Sequence, residues 1–282
     1  MFTLKVKNNL NEMYYLTQRT DTYVITEILG LTPPNVSLAT SVIHGKDGES
    51  LTYSRIEKRN IVISIRLRGN IEESRQKLYR IFPQKSECVL YFKSRNRDVK
   101  ISAYVESVEC NIFSEKERVQ ISLICPDPYF QSVNGTTEVF TESTAGFEFP
   151  FSISSAGIEF SRITSKSQVT VIAGDTATGG IIEIFAEGTA VNPTVTNHTN
   201  GQYFGLNVEL ETGDRLVIDT NTGNKTAILY RNGTETNLLS NRTAGSQWIV
   251  FEAGENTISY SADSGYSNLR VAVSSNIRYI GV

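Results

Sequence analysis

A chain of 282 residues with 39% hydrophobic content and a net charge of −3 is long enough for two domains that each bury their own core. No apolar run reaches the roughly 18 to 20 residues of a membrane span, and no basic-then-apolar-then-small leader opens "MFTLKVKNNL", so synthesis in the cytoplasm is expected. Cys88, Cys110 and Cys125, odd in number and widely spaced, fit neither a disulfide framework nor a metal ligand set, and read as small buried hydrophobes.

The first half is strand-rich. "NIVISIRLRG" places Ile61, Ile63, Ile65 and Leu67 on one face and Ser64, Arg66 and Arg68 on the other, the pattern of a long half-buried strand. Gly69 ends it. Asn70 then supplies an N-cap, Glu72 and Glu73 sit in the first turn, and Leu78, Ile81 and Phe82 form an apolar stripe before Pro83, which predicts the one helix of the chain. After "CVLYF", the apolar phase slips between Val105 and Val108, which predicts a bulge near Glu106 and Ser107.

"ISLICPDPYF" starts as an alternating strand and then leaves the ladder, because Pro126 and Pro128 have no N–H to donate and fix their φ near −65°. Pro126, Asp127, Pro128, Tyr129 and Phe130 are expected to form a stiff strap between domains. Charge changes sign at the same place. Residues 1–132 hold 19 Lys plus Arg against 15 Asp plus Glu, and the remainder 8 against 15. Neither half is basic enough for a nucleic-acid clamp. The domains expected are 1–131, a linker over 132–146, and 147–282.

The second half offers short strand candidates separated by turn signals: "FEFPFSI", "QVTVIA", "IIEIFAEG", "YFGLNVEL", "DRLVID", "AILYRNG", "QWIVFEAG", "NTISYSA", "LRVAVSS" and "IRYIGV". Asn232-Gly233 is a two-residue hairpin signal. About ten strands in some 150 residues read as an antiparallel β-sandwich or jelly roll. The fold class expected is therefore mainly β, with one helix in the first domain.

Catalytic constellations are absent from the sequence: no GxSxG, HExxH, P-loop, dinucleotide fingerprint or CxxC occurs. No enzyme activity, cofactor or metal is expected; His44 and His198 lie too far apart in sequence for a recognisable ligand pair. Glu209 and Glu211 alternate with Val208 and Leu210, as on a solvated strand face rather than in a glycosidase pair. "GDTATGG" and "DTNTGN" read as turns, and His198 as a loop residue. Trp248 is expected to pack in the core beside Val250, opposite Ile249 and Phe251. Should the second domain bind a host-surface saccharide as an adhesin, Tyr203, Phe204 and Tyr266 are the candidate contacts.

Taken in order, "GKDGESLTYSRIEKRNIVISIRLRG", "EESRQKLYRIFP", "ISAYVESVEC" and "ISLICPDPYF" across residues 45–130 resemble the siphophage distal tail protein family, the tail-tip or baseplate hub; "WIVFEAGENTISYSA" and "IRYIGV" resemble the end of its second domain. Residues 150–245 carry no family motif of their own. The resemblance implies an N-terminal β-barrel-like, ring-forming domain with one helix, assembling as a homo-hexamer around a channel that passes DNA. It also implies an outward galectin-like or carbohydrate-module-like sandwich. Its partners would be copies of itself, the tail tube protein, and tail-tip, tail-associated lysin or receptor-binding proteins, in the virion. Arg66 and Arg68 would then face the channel or a neighbouring subunit.

Overall fold

The computed structural model describes residues 2–17, 22–112, 117–140 and 165–282. The chain divides into two compact units, the first containing residues up to Asn134 together with Arg278–Val282, the second Gly135–Ile277. The final segment is thus separated from its unit by the whole of the other one. The strand expected from "IRYIGV" does form, but it belongs to the first unit rather than to the sandwich.

The strands of the first unit are β1 (Thr3–Lys7), β2 (Met13–Tyr15), β3 (Tyr23–Leu29), β4 (Val36–Val42), β5 (Glu49–Ile56), β6 (Arg59–Leu67), β7 (Glu87–Lys93), β8 (Asp98–Cys110), β9 (Arg118–Cys125) and β10 (Phe130–Ser132), with helix α1 (Ile71–Ile81) between β6 and β7. Seven of them make one antiparallel path, β2-β1-β7-β8-β9-β6-β3. Among the described residues β2 and β3 end this path, and the Tyr23 hydroxyl of β3 donates to the Tyr15 carbonyl of β2 (3.2 Å). Alternation does what period 2 requires: Ile61, Ile63, Ile65 and Leu67 of β6 and Val119, Ile121, Leu123 and Cys125 of β9 are buried on the inner face. The predicted bulge is present, as the β8–β9 register shifts between Val105 and Ser107.

Helix α1 begins where its cap dictates. Asn70 Oδ1 accepts from Glu73 N (3.3 Å), and Leu78, Ile81 and the following Phe82 are buried. An eleven-residue helix is marginal alone, so this apolar stripe against the sheet is what stabilises it.

In the second unit the strands are β11 (Thr136–Phe140), β12 (Ser165–Ile172), β13 (Gly180–Ala186), β14 (Ala190–Val191), β15 (Thr194–Asn197), β16 (Gln202–Gly205), β17 (Glu209–Leu210), β18 (Arg215–Asp219), β19 (Thr226–Arg231), β20 (Thr234–Asn237), β21 (Gly254–Ser261) and β22 (Leu269–Ser275); β23 (Arg278–Tyr279) closes the chain in the first unit. A six-stranded sheet, β11-β22-β13-β18-β19-β20, and a four-stranded one, β12-β21-β15-β16, contribute to one core. Ile182, Ile184, Leu216 and Val271 come from the first sheet, and Val195, Phe204, Ile258 and Tyr260 from the second. This is a sandwich. Asn232 and Gly233 both have positive φ, the two-residue turn that lets Arg231 pair with Thr234.

Two expectations differ, and a third falls outside the described residues. "QWIVFEAG" forms no strand of its own, contributing an isolated bridge between Thr178 and Phe251 and, with Gly254, the first residue of β21. "YFGLNVEL" divides into β16 and β17, which enter different sheets. "FEFPFSI" and residues 141–146 of the expected linker lie outside the described residues.

Candidate assembly surface

The hairpin of β4 and β5 stands apart from the core of the first unit. All residues of both strands are exposed, and among the described residues neither strand pairs with anything but the other. Its register puts Val36 opposite Ile56, Leu38 opposite Ser54, Thr40 opposite Leu51 and Val42 opposite Glu49 on one face. The other face carries Ser37 with Arg55, Ala39 with Tyr53 and Ser41 with Ser50. One side mixes five aliphatic residues with Ser54, Thr40 and Glu49, and the other is largely polar. Val42 is 75% exposed, Leu38 62% and Leu51 60%. Soluble domains rarely leave such a contiguous stripe in water unless something covers it.

The root of the hairpin is held by Arg59, which is only 3% exposed. Its Nε donates to Pro128 O (2.7 Å), one terminal nitrogen to Gly30 O (2.5 Å) and Thr32 O (2.6 Å), and the other to Ile280 O (2.8 Å). The guanidinium also lies over Phe130, 4.5 Å from the ring centre. Four carbonyls from three chain segments thus meet on one planar donor set. Burial pulls its pKa down, a tendency that Cys125 opposes. Gly30 is required here: at φ +84° it passes so close to Asn60 that a Cβ would lie 2.0 Å from the Asn60 carbonyl oxygen.

The strap residues belong to the same cluster. Asp127 Oδ1 caps Tyr129 N (3.2 Å), its other oxygen pairs with Arg278, and Arg278 lies 4.9 Å from the Tyr129 ring centre. Phe130 is fully buried and edge-on to Phe92 at 5.6 Å. Pro126 is exposed. The five residues are pinned within the first unit by its own returning tail, and the passage to the second unit falls later, at Asn134 and again at Ile277.

Arg66 projects from the solvent face of β6, with Val24 of β3 on one side and Arg118 of β9 on the other. Arg68 lies beyond the strand end, exposed, its backbone N–H donating to Thr22 O (2.7 Å).

The three aromatic candidates do not form one patch. Phe204 is 1% exposed, stacked on Trp248 at 4.9 Å inside the second core, so it cannot touch a ligand. Its inward phase on β16, opposite Val195, is the reason. Tyr203 is spent on a hydrogen bond from its hydroxyl to Ala244 O (2.8 Å). Tyr266 opens a one-turn 3-10 helix, and among the described residues neither ring contact nor hydrogen bond joins it to the other two. Trp248 is half-buried, with Lys225 and Arg242 at 5.8 and 5.6 Å from its ring. His198 Nε2 shares a hydrogen bond with Ser259 Oγ (2.7 Å). Cys88 and Cys125 are buried thiols whose pKa burial pushes up to about 12. Among the described residues no three His, Cys, Asp or Glu side chains converge as a metal site.

Sequence reasoning missed Arg59 and the hairpin, although both left a signal. Arg59 shares the odd-numbered phase of Ile61 and Ile63, which marks it as inward. "VSLATSV" and "ESLTYSRI" flank "IHGKDG", two strand-like runs around a Gly-rich turn.

A nine-stranded sheet with an exposed hairpin, followed by a two-sheet sandwich, defines a two-unit, mainly β protein. Residues 173–276 match the model of the siphovirus-type tail component, C-terminal domain. This match covers much of the region in which the sequence had offered no motif. Over its whole length the chain has the fold of the distal tail protein of phage SPP1. That crystal structure, of the Dit protein described as a paradigm of the hub adsorption apparatus in phages infecting Gram-positive hosts, superposes with a TM-score of 0.70 at 13% identity over 99% of both chains. A chain of the phage P2 baseplate in its calcium-activated conformation gives 0.52 at 11% identity over 100% of both. Among curated proteins no sequence matches.

Proposed function

We propose that the chain is a structural protein of the virion of a long-tailed phage or prophage, a hub at the distal tail or baseplate with a mechanical rather than a catalytic task. Its first unit closes into a ring of six copies around the DNA channel, joining the tail tube to the tail-tip or baseplate proteins. The reading is carried by the tail-component match at residues 173–276 within a chain whose two-unit fold follows the SPP1 hub protein from end to end. The exposed hairpin supports self-assembly, because exposed apolar side chains favour partners.

Native mass spectrometry with negative-stain microscopy of the purified chain tests it. A particle of six times 31.3 kDa with an open centre is expected, alone or on adding the tail tube protein. Isolated particles under both conditions would overturn it.

A further inference from the structure

We propose that Asn134 is a site of spontaneous covalent modification, where the fold lets the Asn134-Gly135 peptide close on its own side chain and reopen as aspartate or isoaspartate.

Asn-Gly occurs three times in the chain, at Asn134-Gly135, Asn200-Gly201 and Asn232-Gly233. In each pair the backbone nitrogen of the glycine can attack the asparagine Cγ, because glycine carries no Cβ to crowd the approach. The N–Cγ bond forms, the side-chain nitrogen leaves as ammonia with the proton given up by the attacking nitrogen, and a succinimide ring remains. Water opens the ring at the side-chain carbonyl to give aspartate, or at the main-chain carbonyl to give isoaspartate. The ring is nearly planar, so the glycine nitrogen must swing until it eclipses the asparagine Cβ. The carboxamide must therefore be free to turn, and the backbone free to follow it.

Asn200 lacks the first freedom. It is half-buried, its Oδ1 accepts from Gln202 N (3.2 Å), and its Nδ2 donates to Val250 O (2.9 Å). Asn232 lacks the second. Its side chain is exposed, but its φ is +49° and that of Gly233 +78°, with Arg231 paired to Thr234 across the turn. A turn of this kind holds ψ at roughly +30°, which points the glycine nitrogen away from Cβ. Closing the ring there means breaking the end of the β19–β20 ladder.

Asn134 has both freedoms. It is exposed in the bend between β10 and β11, and among the described residues neither its carboxamide nor the Gly135 N–H has a hydrogen-bond partner. Ser132 Oγ donates to the Asn134 carbonyl (2.5 Å), which draws electron density from the peptide and eases loss of the Gly135 proton. The bond that reacts is the one at which the chain first leaves the first unit. Reaction there adds a negative charge and, as isoaspartate, lengthens the backbone between β10 and β11.

The full chain, held folded in mildly alkaline buffer, is sampled over time by peptide mapping with mass spectrometry and isoaspartate methyltransferase labelling. A parallel sample in urea frees all three pairs from the fold. The three should convert at comparable rates in urea, whereas in the folded chain Asn134 should convert at least tenfold faster than Asn200 and Asn232. Hydroxylamine, which cleaves succinimides, should then cut the folded chain between Asn134 and Gly135. Equal rates at Asn134 and either other pair in the folded chain would overturn the selection by local structure. Conversion of Asn134 in urea but not in the folded chain, or in neither, would overturn the site itself.

Discussion

Arg59 sits where the inner face of β6 begins, and its charge is met by carbonyl dipoles rather than by a carboxylate. Among the described residues every buried side-chain nitrogen and oxygen has a hydrogen-bond partner, and Arg59 is one reason. Replacing it with Met would strip the Pro128, Gly30, Thr32 and Ile280 carbonyls of their donor at once. The expected cost is about 3 kcal/mol or more, since each orphaned buried acceptor costs on the order of 1 kcal/mol. Arg59→Lys should recover only part of it, because an ammonium cannot present a planar fork. Urea unfolding followed by circular dichroism measures both, and a loss below about 1 kcal/mol for Met would show that water replaces the guanidinium without penalty.

The thiols of Cys88 and Cys125 give a pH dependence with a definite sign. Both are buried and held protonated up to about 12 in the folded chain, whereas in the unfolded chain they ionise near 8.5. Below the unfolded value the contribution is fully present. As pH rises through 9 toward 12 the unfolded state loses protons that the folded state keeps, so stability falls. The urea midpoint should drop between pH 8 and 10.5, and the drop should shrink in a Cys88→Ala, Cys125→Ala variant. An equal drop in the variant would assign it to tyrosines and lysines instead. That these cysteines are core residues was legible from their phase alone, Cys125 falling in step with Ile121 and Leu123.

Elements were legible where hydrophobic period and partner strand coincide. Strand β6, helix α1 with its Asn70 cap, the β8 bulge and the Asn232-Gly233 turn all follow from patterns contained in a dozen residues. Segment 247–254 shows the limit of that logic. Its alternation holds but with the opposite phase to the one expected, Ile249 and Phe251 being fully buried and Trp248 and Val250 only partly so, and no ladder forms before Gly254. Amide side chains take the ladder's place: Val250 N donates to Gln202 Oε1 (2.7 Å), and the Val250 carbonyl accepts from Asn197 and Asn200 (2.9 Å each). Asn256 does the most, its Oδ1 accepting from Glu252 N (2.9 Å) and from Asn197 (3.1 Å), its Nδ2 donating to the carbonyls of Glu252 (2.8 Å) and Gly254 (3.2 Å). Period alone cannot tell a strand from an extended segment satisfied this way. Asn256→Ala should therefore cost about 2 to 4 kcal/mol, well above a surface substitution. It should also change the emission of Trp248, which lies on the same segment. A change within about 0.5 kcal/mol would mean the segment holds without its amide.

The division of the whole molecule was the least legible. A change of charge sign and a proline-rich strap near residue 130 point to two units, but no local pattern says that the last five residues return to the first. The pairing of β10 with β23 joins positions about 150 residues apart, and period-2 alternation carries no information on which partner a strand will choose. Once returned, the segment makes many contacts: Arg278 pairs with Asp127, Ile280 O binds Arg59, Gly281 O binds Arg97, and Val282 N donates to Leu31 O (3.1 Å). Arg97 also lies 4.4 Å from the Tyr279 ring centre. Removing Arg278–Val282 deprives the first unit of all of these while leaving β13, β18 and β22 of the second with their own core. Hydrogen exchange read strand by strand separates the two: amides of β6, β9 and β10 should lose protection by at least tenfold, and those of β13 and β18 should keep it. Loss in both units alike would show that they unfold as one body. Full protection in both would show that the returning tail is an ornament of the first unit rather than part of its frame.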